Sequence, residues 1–140
     1  VIHCPELREG ERVPFSAVER VRPLADQAEF LLFHTGWGRY WGTERYFGDY
    51  PCIDQGIVDY LLQSGKKGVG LDTIGVDPIA DAYLSIHRRL FQDHDLVVME
   101  NLANLDQIGD GLFTLFALPL RYQDADGSPI RAVAVLDGEE

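Results

Sequence analysis

The chain of 140 residues is 46% hydrophobic and 25% charged, which fits a globular fold with a real core and excludes disordered or collagen-like polymers. Its 23 acidic against 12 basic residues give a formal net charge of -11, so phosphate backbones and anionic membrane surfaces are repelled, and neither nucleic acid nor membrane is expected as a partner. The longest apolar run, Leu112 to Leu120, is broken by Thr114 and Pro119 and falls well short of the roughly 20 residues of a membrane helix.

The two cysteines, Cys4 and Cys52, and the lack of a CxxC pair exclude a disulfide framework or zinc ribbon and suit a reducing, cytoplasmic setting. The first residues carry neither the basic nor the apolar region of an export signal. No repeat or linker divides the sequence, so one domain over residues 1–140 is expected.

In chain order, Ser16 with Glu19 has the spacing of a capping box and predicts a helix that ends near Pro23. Glu29 to His34 (EFLLFH) has the length and texture of a buried strand. Gly36 to Tyr50 is rich in glycine and aromatics without period and predicts a long ordered loop. Pro51 suits a first helical turn, and Ile53, Ile57 and Leu61 form a stripe that stops at Gly65. Val69 to Asp72 predicts a strand ending on an acid. Asp77 and Pro78 then cap and open a helix whose face carries Ala80, Tyr83, Leu84, His87 and Phe91. Leu96 to Met99 predicts a strand delivering Glu100, and Asn101 to Ile108 a short helical turn. Leu112–Tyr122 and Ile130–Leu136 flank Asp126-Gly127 as a hairpin. Helices alternate with strands and a hairpin closes the chain, so the fold class is α/β, with a mixed sheet or partly closed barrel flanked by helices.

His87 and Glu100 are the first candidate pair: a histidine on an otherwise apolar helix face and a carboxylate at the tip of an apolar strand. A carboxylate there requires a cation, a metal or several amide donors. Read alone, Glu100 equally well leaves the strand into solvent or caps the next turn, and His87 serves as a boundary residue. Imidazole with carboxylate suits a divalent metal, yet a catalytic zinc needs three protein ligands and an open position. Cys52 is expected at a helix start, either as a small hydrophobe or as a thiol with lowered pKa. His3-Cys4 is a weak metal candidate, and His34 and His94 have no patterned neighbours. GxGxxG is absent, as is any phosphate-cradling loop. The aromatics from Trp37 to Tyr50 either line an apolar pocket or pack their own loop.

The fragments HTGW (residues 34–37), GLDT (70–73), ENL (100–102), LPL (118–120) and DGSPIRA (126–132) follow one another in this order. Together they resemble the cyclase family, which is similar to bacterial kynurenine formamidases and isatin hydrolases, metal-dependent hydrolases that open amide or lactam bonds. The resemblance implies a swivelling β/β/α fold, a homo-oligomer, and metal ligation by His87 and Glu100. It further implies a small aromatic amide as substrate, with Trp37 and Trp41 against its ring. The family's HxGTHxDxPxH motif, which supplies the other ligands, is absent here, and His34 stands ahead of TGW where the resemblance implies an arginine or another residue. The sequence is therefore expected to lack the family's N-terminal metal-binding segment. Zinc or manganese would be bound if the site is completed upstream or in trans. The alternatives are a non-catalytic relative that binds a ligand or partner, and a structural subunit that completes its site with a partner chain.

Overall fold

Buried aliphatic side chains at alternate positions set the strands of the first unit. The computed structural model describes residues 1–92 and 94–136, so Asp93 of the QDHD turn lies outside it. The chain divides into two compact units, Val1–Asp110 and the segment from Gly111 onward. In chain order the first contains β1 (Ile2–His3), β2 (Arg12–Val13), α1 (Phe15–Glu19), α2 (Arg22–Gln27), β3 (Phe30–His34), β4 (Cys52–Ile53), α3 (Gln55–Gln63), β5 (Gly68–Leu71), α4 (Ser85–Phe91) and β6 (Val97–Met99). The second contains β7 (Thr114–Pro119) and β8 (Ile130–Val135).

The main sheet has the order β1-β3-β5-β6 with every neighbour parallel, and β2 pairs with β4 in a small parallel ribbon. Among the described residues no sheet closes into a barrel; strand directions are mixed across the molecule but not within a sheet. Leu31, Phe33, Val69 and Leu71 pack with Val18, Ile57, Leu61 and Leu90 in one apolar cluster. This is the arrangement expected when helices cover a parallel sheet. The opposite face of β5 is glycine. A Cβ at Gly68 would lie 2.4 Å from the Val97 carbonyl oxygen, and one at Gly70 would lie 2.7 Å from Leu32 and Leu102. These glycines let the neighbouring chain and side chains close against the strand.

Pro23 does not end the first helix. The chain turns at Arg20 and Val21, and Pro23 sits in the first turn of α2, where its missing N–H costs nothing. The C-terminal end of α2 is closed from outside: the Lys66 ammonium donates to the carbonyls of Ala25, Asp26 and Ala28 at 2.5, 3.1 and 2.7 Å. Pro51 likewise opens no helix. Cys52–Ile53 is strand β4, and Asp54 caps α3 by accepting from the Ile57 amide at 2.8 Å while its other oxygen accepts from the Phe15 amide at 2.7 Å. The loop between β3 and β4 carries two 3-10 turns, Trp37–Tyr40 and Glu44–Phe47.

In the second unit β7 and β8 pair antiparallel, with Phe116 opposite Val133 and Leu115 opposite Ala134. Phe116, Leu118, Val133 and Val135 are exposed, so the ribbon shows an apolar face. Among the described residues no helix is long and apolar enough to cross a membrane.

Candidate active site

The functional side chains gather where the parallel strands end. β3 ends on His34, β5 delivers Asp72 one residue past Leu71, and β6 delivers Glu100 one residue past Met99. Carboxyl ends of parallel strands are where α/β sheets place ligands.

His87 and Glu100 meet. His87 Nε2 lies 3.1 Å from Glu100 Oε1, and His87 Nδ1 lies 2.5 Å from Asp77 Oδ2. Asp77 is 1% exposed. Its two oxygens also accept from the amides of Ile86 and His87 at 2.5 and 3.1 Å. Asp77 thus caps a helix, as its sequence context suggests, but from a distance: residues 78–84 are turns, Leu84 adopts φ 51°, and α4 begins only at Ser85. One buried carboxylate fixes both the start of α4 and the ring of the histidine on its first turn.

A carboxylate on Nδ1 makes that nitrogen the donor, as is typical of histidines that bind a metal through Nε2. Two tetrahedral ligands of one zinc, each about 2.0–2.1 Å from it, stand about 3.3 Å apart, close to the 3.1 Å between His87 Nε2 and Glu100 Oε1. The pair therefore fits two positions of a metal shell. Among the described residues no group of three or more His, Cys, Asp or Glu side chains is placed to hold a metal ion.

Without metal, the hydrogen bond to Glu100 raises the His87 pKa, burial opposes this, and Asp77 adds to the rise. A group whose pKa is higher folded than unfolded adds stability that is fully present below the unfolded value, about 6.5, and is lost as pH rises through the folded value. Metal-free protein is therefore expected to lose urea resistance as pH rises across and above that range. His87→Asn should flatten this part of the profile.

Asp72 organises the neighbouring loop. It is 4% exposed, and its Oδ1 accepts from the Thr35 amide at 2.9 Å and the Thr35 hydroxyl at 2.6 Å. The HTGW and GLDT fragments are thus tied to each other by a buried carboxylate. Gly36 adopts φ 75°, a conformation that strains any residue with a side chain. Trp37 is 1% exposed and its indole donates to the Tyr46 carbonyl at 3.1 Å. The Tyr46 hydroxyl in turn donates to Asn101 Oδ1 at 2.7 Å. Burial, with Asp72 and Glu100 nearby, pushes the Tyr46 hydroxyl up to about 12, and burial does the same for Tyr50. Both phenols stay protonated at neutral pH, and the Tyr46 hydroxyl serves as a donor.

Beside this network is a cavity of about 630 Å³ whose wall includes His34, Arg39, Trp41, Tyr46, Asp72 and Asn101. Trp41, 67% exposed, is on this wall, whereas the buried Trp37 is not. Cys52 is not at a helix start. It lies in β4 at 2% exposure, and burial pushes its thiol up to about 12, Arg12 opposing. Cys4 is buried and its pKa is raised by burial. Iodoacetamide at neutral pH is therefore expected to leave Cys52 unmodified until the protein is unfolded. Rapid labelling of native Cys52 would contradict this placement.

The sequence profile described as "Putative cyclase" matches residues 8–78 of this chain. The chain belongs to the cyclase family. Among curated relatives, the kynurenine formamidase of Bacillus anthracis is 42% identical over 83 residues, 59% of this chain and 39% of that protein. The kynurenine formamidase of Bacillus cytotoxicus is 40% identical over 93 residues, 66% of this chain and 44% of that protein. This cyclase chain spans less than half the length of either. Its fold matches an isatin hydrolase bound to thioisatinate with a TM-score of 0.80 at 23% identity, covering 96% of this chain and 58% of that one. It also matches isatin hydrolase A from Labrenzia aggregata with a TM-score of 0.82 at 21% identity, covering 95% and 58%.

Sequence reading alone did not find the role of Asp77 toward His87, nor the contact of His3 with His34. The first joins residues 10 apart across a loop, and the second depends on β1 pairing in parallel with β3.

Proposed function

We propose that this chain is part of a metal-dependent hydrolase that cleaves C–N bonds of small aromatic amides, formamides or lactams. The observation that carries the reading is the Asp77–His87–Glu100 string, a buried carboxylate orienting an imidazole whose free nitrogen faces a second carboxylate. His87 and Glu100 are two ligands of a divalent cation, zinc or manganese, and groups beyond these 140 residues, upstream or in trans, complete the set. Such a cation supplies Lewis acidity toward a carbonyl and acidifies water. Asp77 holds the His87 ring in place. Tyr46 and Asn101 provide neutral donors beside the cavity, and Trp41 lies against the aryl group. Trp37 acts from beneath, through the Tyr46 carbonyl that it holds.

The kynurenine formamidase and isatin hydrolase relatives bear names of enzymes that act on aromatic substrates of this kind, and two further structural neighbours are described as metal-dependent hydrolases. A homo-oligomer and a cytoplasmic setting belong to the same reading, the first supported by the exposed apolar face of the hairpin. Elemental analysis joined to an aryl-formamide hydrolysis assay tests it, on protein whose remaining ligands are supplied. About one or two bound zinc or manganese per chain, with turnover, is the expected result. Absence of metal after loading with either ion, together with no turnover, overturns it in favour of a non-catalytic member of the fold that uses the cavity to bind.

A further inference from the structure

The aromatic loop between β3 and β4 presents two phenols to two consecutive residues of the site, and only one of them is engaged. Tyr46 donates to Asn101 Oδ1 at 2.7 Å. Tyr50, 7% exposed, belongs to the same buried aromatic cluster. Among the described residues its hydroxyl has no hydrogen-bond partner, while no fully enclosed side-chain oxygen or nitrogen lacks one. The Tyr50 hydroxyl therefore opens onto space beyond the packed side chains. Gly75 shows where that space is. A Cβ on Gly75 would lie 2.9 Å from the Tyr50 hydroxyl oxygen and 3.5 Å from Glu100 Oε1, so phenol and carboxylate border one gap that glycine leaves open. A buried donor without a partner calls for one, from a ligand or from a neighbour that turns toward it.

Glu100 is the neighbour that comes to need a donor. Among the described residues its carboxylate has one hydrogen-bond partner, His87 Nε2. Asp77 holds the hydrogen on Nδ1, so Nε2 donates to Glu100 only while the ring is charged. When Nε2 serves a cation as ligand it carries no proton, and that bond to Glu100 is lost. Carboxylates that ligate a metal are themselves hydrogen-bonded. Burial pushes the Tyr50 hydroxyl up to about 12, so the phenol at the gap keeps a proton to donate.

We propose that Tyr50 is a positioning residue of the cation site, its hydroxyl donating across the Gly75 gap to Glu100 and holding that carboxylate in its ligating orientation. Gly75 is its counterpart, because a side chain there fills the gap. The proposal rests on reading His87 and Glu100 as cation ligands. It adds a donor that the cation-free protein leaves unused.

The test compares Tyr50→Phe, Gly75→Ala and Tyr46→Phe with the unaltered protein, on protein whose remaining ligands are supplied. Titration with zinc against a competing chelator is expected to show affinity about tenfold weaker in Tyr50→Phe, the lower end of what an outer hydrogen-bond partner is worth. Gly75→Ala keeps the hydroxyl but fills the gap, and should lose affinity likewise. Without zinc, Tyr50→Phe should unfold at the temperature of the unaltered protein, because its hydroxyl has no partner to lose. Tyr46→Phe should unfold at a lower one. Carbon NMR of the hydroxyl-bearing ring carbon of labelled tyrosine should show the Tyr50 signal move when zinc is added and the Tyr46 signal stay. Unchanged zinc affinity in either gap variant, or a Tyr50 signal that zinc leaves in place, overturns the proposal. So does a zinc-free loss of stability in Tyr50→Phe that matches Tyr46→Phe, which would make the hydroxyl merely structural. Zinc bound by none of the proteins overturns the reading of the ligands and this proposal with it, whereas zinc bound equally well with and without the Tyr50 hydroxyl overturns this proposal alone.

Discussion

Replacing Asp77 with asparagine is expected to weaken metal binding about 10- to 100-fold while leaving the fold nearly intact. Asparagine caps a helix about as well as aspartate, so the amides of Ile86 and His87 keep an acceptor. What is lost is the negative charge on His87 Nδ1, which orients the ring and raises its basicity as a ligand. His87→Ala and Glu100→Gln remove the ligands themselves and should abolish binding and turnover. Titration against a competing chelator, on protein whose remaining ligands are supplied, measures all three. An unchanged affinity in the Asp77→Asn protein would remove the second carboxylate from the site and leave Asp77 a cap only. Asp77→Ala is the structural control: with both amides left unpaired it should cost about 1–3 kcal/mol of stability.

The largest effect on stability is expected at Gly68. Its Cβ in a Gly68→Ala protein would lie 2.4 Å from the Val97 carbonyl oxygen and 2.5 Å from the Phe30 ring. The carbonyl belongs to the backbone of β6, which pairs with β5 at this register, so relief requires the strands to part. A loss of about 3 kcal/mol is expected, lowering Tm by roughly 10 °C for a chain of this size. Gly70→Ala meets the ends of the Leu32 and Leu102 side chains at 2.7 Å, with Met99 Cβ at an ordinary 3.4 Å. Those can turn away, and the cost should be near 1 kcal/mol. Thermal unfolding of the two proteins side by side decides whether backbone or side chain sets the limit.

Three of the four strands of the main sheet were legible because short apolar runs such as FLLFH and LVVM have little else to do than be buried, and His34 and Glu100 stand at their ends as the sequence suggests; β1, two residues long, carries no such run. Helix boundaries were less legible. Pro23 suggests the end of a helix and Pro51 the first turn of one, and both are reversed. One opens α2, and the other precedes a strand because Cys52 and Ile53 pair with Arg12 and Val13. Asp77 reads as a local cap, but its acceptors serve amides that the chain brings back only after seven intervening residues of turn. Trp37 and Trp41 are indistinguishable within GWGRYWG. The 3-10 turn ends at Tyr40 and leaves one tryptophan inside and the other out. The pairing of His87 with Glu100 was visible as two costly residues in apolar settings, and the family resemblance pointed to their meeting.

The all-parallel order of the main sheet also bears on how the chain reaches its fold. Ile2 pairs with Phe33, Phe30 with Gly68, and Gly68 with Val97, so every ladder closes a long intervening loop before it gains a contact. Such nonlocal pairing makes folding slow, in the range of milliseconds to seconds for small domains. The β7–β8 ribbon closes locally, on a scale of about 1–10 μs. During synthesis the first ladder that can form is β1 with β3, and it places His3 beside His34 while the strands bearing Asp72 and Glu100 are still unmade. The histidines thus stand on the first two strands of this sheet to be made, ahead of those that precede the carboxylates.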